Sequence, residues 1–84
     1  MSIEKRSGTL AKYDPPAGTA LEAKATIHFK LEESDKDSWA RTRFESVDVV
    51  VPTDVLSTDS ARELMIENRF RTWVLEDGRV ISVQ

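Results

Sequence analysis

The sequence predicts a small α+β domain. Its sheet is curved, mostly antiparallel and about five strands wide, in the order β-β-β-α-β-β, and one short helix covers a face or closes an end. A small closed barrel of the same elements is the alternative that the pattern leaves open. Three observations carry this. Residues 20 to 31 alternate without a break, the apolar Leu21, Ala23, Ala25, Ile27, Phe29 and Leu31 against Glu22, Lys24, Thr26, His28 and Lys30. Successive side chains of a strand point to opposite faces, so this is one long strand with a dry side and a wet side. A capping-box pattern, Ser60-Ala61-Arg62-Glu63, opens a helix. Asp77-Gly78 joins two strand-like runs, and a type I′ turn there needs positive φ at both central residues.

The elements follow in order. Residues 1 to 8 are polar and are expected to be flexible, and Thr9 to Tyr13 reads as a weak strand held by Leu10 or Tyr13. Asp14-Pro15-Pro16-Ala17-Gly18 breaks the chain, because proline cannot donate to a ladder and restricts the residue before it. The long strand comes next, then the polar hairpin loop Glu32 to Ser38, then a return strand from Trp39 to Val51. Val47, Val49 and Val51 share one face of it with Asp48 opposite. Continuing that phase upstream puts Arg41, Arg43 and Glu45 on the dry side and Phe44 on the wet side, and a β-bulge near Phe44 to Ser46 would repair the pattern. Pro52 ends the strand. The helix is expected over about 59 to 69, with Ala61, Leu64, Met65, Ile66 and Phe70 as its apolar stripe. Thr72 to Glu76 and Arg79 to Val83 form the closing hairpin.

The 84 residues amount to one domain, 1 to 84. There is no cysteine, which removes disulfides, thiolate metal sites and cysteine nucleophiles and favours a reducing, cytoplasmic setting. No apolar run has the length of a signal peptide or a membrane span, so no membrane partner is expected. A net charge of -3 disfavours a dedicated nucleic-acid binder and suits docking on a basic partner surface.

Little in the chain points to catalysis. His28 is the only histidine and lies on the wet face of the long strand, where a solvated rim residue is the plain account. Glu32, Glu33, Asp35 and Asp37 gather carboxylates, yet the loop lacks the glycine and glutamate spacing of a calcium loop. The three glycines stand far apart, so no phosphate loop exists, and no serine has a nucleophile-elbow context. No catalytic residue, metal site or cofactor is assigned.

The one suggestive constellation is a near mirror. Trp39-Ala40-Arg41-Thr42-Arg43-Phe44 and Arg69-Phe70-Arg71-Thr72-Trp73 each interleave two arginines with two aromatics and a threonine. Met on one sheet face, they would make an interaction patch of Trp39, Arg41, Arg43, Arg71 and Trp73, since arginine forks bind anions and exposed rings stack on bases. Against this, the four aromatics also qualify as core anchors, with the arginines paired to nearby carboxylates. The expected function is a non-enzymatic protein-interaction module that docks through its sheet face or an edge strand. Its partner is another protein or a second copy, a homodimer joined through the C-terminal edge. A nucleic-acid accessory using the arginine–tryptophan patch is the alternative.

Overall fold

A computed structural model describes residues 3–34 and 40–84, with the backbone alone for 32–34, 40 and 41. The elements are β1 (Ile3–Asp14), β2 (Glu22–Ser34), β3 (Ala40–Pro52), α1 (Thr58–Glu67), β4 (Arg71–Glu76) and β5 (Arg79–Val83). The expected order of strands and helix is the observed one. The strands form a ring, β1-β2-β3-β5-β4, that β1 closes by pairing with β4. Strands β4-β1-β2-β3 alone have the neighbour order of a Greek key. Every neighbour pair is antiparallel except β3 with β5, which meet at the single pair Val50↔Arg79.

The long alternating strand behaves as its pattern demands. Ala23, Ala25, Ile27 and Phe29 are buried; the first three face Val51, Val49 and Val47, and Phe29 faces Glu45, across a ladder that runs unbroken from Glu22↔Pro52 to Ser34↔Ala40. No bulge interrupts β3, and the phase set by its valines continues. Arg43 and Glu45 therefore stay on the core-side face and Phe44 on the outer one. No repair is needed, because the hairpin here runs past the core and leaves Arg43 and Glu45 exposed. Arg6 covers the last core ring at this end, its guanidinium 4.4 Å from the Phe29 centroid and 3.0 Å from Glu45 Oε2.

The bulges fall elsewhere. Register slips between Leu10 and Lys12 of β1, so Leu10 and Tyr13, three positions apart, both enter the core. A second slip, at Val74/Leu75 against β5, lies within the buried run Trp73-Val74-Leu75. Residues 3 to 8 are strand rather than a flexible lead. They pair with β4 from Ile3↔Glu76 to Gly8↔Arg71, although their core-side positions hold Glu4, Arg6 and Gly8, which show no apolar alternation.

At Gly8 β1 changes partner from β4 to β2. A Cβ there would stand 2.6 Å from the His28 carbonyl oxygen and 2.9 Å from the Phe29 ring, so the crossing needs glycine. The Trp73 indole N–H donates to the Gly8 carbonyl oxygen at 3.1 Å, and Trp73 is fully buried.

The helix begins earlier than the capping box implies. Ser57 is the cap, its Oγ accepting from the Ser60 backbone N–H at 3.1 Å, and Asn68 ends the helix with φ 53 and its N–H on the Leu64 carbonyl. Ala61 is buried, and Leu64 and Met65 pack half-buried against the core, while Ile66 faces outward at 84% exposed and Phe70 lies beyond the helix. Tyr13 ties this end of the barrel to the helix approach through a bond from its hydroxyl to the Leu56 carbonyl. Leu21, expected on the dry face, precedes β2 and is exposed; its carbonyl receives the Thr53 N–H at 2.9 Å. Asp77 and Gly78 have φ 51 and 78, as their turn requires.

Candidate binding face

Of the five residues of the expected patch, the structure describes the side chains of Arg43, Arg71 and Trp73, and these three do not share one surface. Trp73 is removed from it by complete burial, and its ring is part of the core. Arg71 lies at the helix–strand junction, where its guanidinium pairs with Glu67 four residues back, and its Nε is buried without a partner among the described residues. Arg43 is exposed on the core-side face of the protruding hairpin, opposite Leu31. Arg41 pairs through its backbone with Glu33, and Trp39 and the carboxylate-rich loop tip at Asp35 and Asp37 lie outside the described residues.

The two mirror segments nevertheless meet, through their other aromatics. Phe44 of β3 and Phe70 from the link between α1 and β4 stack with centroids 6.0 Å apart and planes inclined by 11°. They are 57% and 49% exposed, an arrangement that leaves much ring surface in water. The ladder explains how Phe44 gets there. It lies directly across from Lys30, on the even-numbered outer face that also carries His28 and Thr26. Asn68, in the left-handed region, turns the chain out of the helix and Phe70 follows two residues later.

Around the rings the surface is polar. The Lys30 ammonium stands 5.8 Å from the Phe70 centroid, close enough for a cation–π contact. Thr9, His28 and Asn68 join the two phenylalanines in lining a shallow hollow of about 260 Å³. His28 faces Thr9 on one neighbour and Ser46 on the other, and no carboxylate lines this hollow among the described residues.

Farther along the same outer face, Lys12, Asp14, Lys24, Thr26 and Asp48 line a second, wider hollow of about 370 Å³. There Thr26 donates to Asp48 at 2.8 Å and Lys12 lies 3.8 Å from Asp14, so the charges are matched. The face thus grades from aromatic with a cation at one end to balanced charge at the other. Among the described residues, no group of three His, Cys, Asp or Glu is placed to hold a metal ion, and no helix is long and apolar enough to cross a membrane.

Phe44 and Phe70 are the exposed aromatics of this face that the expected patch left out. The signal for Phe44 was present, since the unbroken valine phase places it on the wet face, and the postulated bulge concealed it. Phe70 was hidden by its helix-like spacing from Leu64 and Met65. No protein-family model, curated protein or solved structure matches the chain.

Proposed function

We propose that the protein is a non-enzymatic interaction module that docks on another protein through the outer face of β2 and β3, with the Phe44–Phe70 pair as its anchor. The observation that carries this reading is that pair: two large rings, stacked on each other and half in water, framed by Thr9, His28, Lys30 and Asn68. Aromatic anchors inside a polar rim are the pattern of an interface hot spot, where a few side chains carry most of the affinity. At the rings the partner surface is neutral or acidic, to suit Lys30, while the chain's charge of -3 favours a partner that is basic elsewhere.

Site-specific photocrosslinking tests this. A benzophenone side chain at His28, within the hollow, is expected to yield one discrete protein adduct in cells that make the chain. The same group at Ile66, also exposed and on the helix, yields none, and Phe70→Ala abolishes the His28 adduct. Equal labelling from both positions refutes the reading.

A specific observation favours a second occupant of the same face. Lys30 and His28 stand beside exposed rings, and one class of five-stranded Greek-key barrel uses the face of strands 2 and 3 to take oligonucleotides. A mixed-sequence single-stranded oligonucleotide then binds with an affinity that falls steeply with salt, whereas an apolar protein interface shows little such dependence.

A further inference from the structure

The ring of strands is joined between β3 and β5 by one pair, Val50↔Arg79, with the Val50 N–H donating to the Gly78 carbonyl at 3.0 Å. From Ala40 to Val49, β3 has no ladder partner on the side away from β2 among the described residues. The expected free edge was β5, but β4 covers one side of that strand and the bridge to β3 holds its start. The long open edge belongs to β3.

The bridge also fixes which groups face that edge. The Val50 amide points toward β5, and Thr53 N–H points the other way, to Leu21 before β2. Because the β2–β3 ladder has no slip, every even-numbered residue of β3 turns its N–H and C=O toward the open side. Thr42, Phe44 and Ser46 therefore present a row with no ladder partner among the described residues, and an exposed row of this kind templates pairing with another strand.

We infer that this edge pairs with the same edge of a second copy, antiparallel, about a two-fold axis at Phe44. In that register Phe44 exchanges both N–H···O bonds with its counterpart, and Thr42 does the same with the partner's Ser46. Arg43 then lies directly across from the partner's Glu45, and Glu45 from the partner's Arg43, in the closer, non-hydrogen-bonded positions. Charge selects this register over its neighbours. A two-fold at Arg43 or at Glu45 sets like charges face to face, and one at Ser46 sets Glu45 against Val47. Glu45 already accepts from Arg6, and a carboxylate has acceptor capacity for a second guanidinium. The outer faces of the two copies become one sheet with the phenylalanines of both along it. The inference does not rest on the function proposed above, although the dimer would set the Phe44 side chains of both copies side by side on that face.

Sedimentation equilibrium over a concentration series is the test, with circular dichroism reporting fold. The wild-type chain is expected to be dimeric at about 1 mM and to dissociate on dilution toward about 1 µM, as suits a small interface. Ser46→Pro removes an amide that makes no bond to β2, so the monomer stays folded while association weakens by about tenfold or more. Arg43→Glu and Glu45→Arg are each monomeric alone and form a one-to-one heterodimer when mixed, because each then supplies charges of a single sign. A wild-type chain that remains monomeric throughout overturns the inference. So does a dimer indifferent to all three substitutions.

Discussion

Phe44 and Phe70 come from segments of similar composition in reversed order and stack 6.0 Å apart on the outside of the barrel. What separates them from singly exposed residues such as Ile66 is that they form a contiguous pair, and the docking proposal rests on that pairing. Phe44→Ala and Phe70→Ala should each lower stability by less than about 1.5 kcal/mol, since only the ring–ring contact and modest burial are lost. Either change should weaken docking by about 2 kcal/mol or more, roughly thirtyfold. Chemical denaturation beside a binding titration separates the two effects.

Trp73 should behave in the opposite sense. It is fully buried and its N–H is satisfied by Gly8. Trp73→Ala should cost about 3–5 kcal/mol, enough to unfold a marginal domain. Trp73→Phe keeps most of the apolar contact and should cost less, chiefly the indole bond and some packing volume. In a variant with Trp39 replaced by Phe, the remaining emission should be blue-shifted and resistant to iodide.

Gly8→Ala should destabilise by about 1–3 kcal/mol, because the added methyl meets the His28 carbonyl at 2.6 Å and the neighbour is backbone. Thermal denaturation reads this directly. Ser7→Ala, next door and exposed, should change little.

Ser57→Ala should cost about 1 kcal/mol through loss of the cap on the Ser60 N–H. Ser60→Ala should cost less, although Ser60 is the residue that the sequence pattern marks as the cap. Comparing the two melting curves locates the start of the helix.

Amide exchange should report the unbroken β3 ladder. The N–H groups of Val47, Val49 and Val51 point to β2 and should be protected, while those of Phe44, Ser46 and Asp48 should exchange quickly in dilute solution. A bulge near Phe44 to Ser46 would invert that alternation upstream of the valines.

The order of elements along the chain, the Asp77-Gly78 turn and the alternating core of β2 were legible because each rests on local chemistry, a two-residue period or a turn that demands positive φ, whereas the neighbour order β1-β2-β3-β5-β4 rests on long-range pairing and was not. The first half of β1 was not legible, since its core-side positions hold Glu4, Arg6 and Gly8, which the fold accommodates through partners far along the chain. The cap shifted from Ser60 to Ser57 because both serines have the chemistry and only the path from Pro52 decides between them. The candidate face was half legible. Its composition was visible as two arginine–aromatic segments, but which aromatics each buries depends on register. Trp73 went to the core against Gly8, and Phe44 and Phe70 were left outside.

The most direct test of the docking face is the benzophenone crosslink from His28, compared with the same group at Ile66 and repeated in the Phe70→Ala background. The account predicts one discrete protein adduct from His28, none from Ile66, and loss of the His28 adduct when Phe70 is truncated. Labelling that is the same from both positions, or that persists without the Phe70 ring, contradicts it.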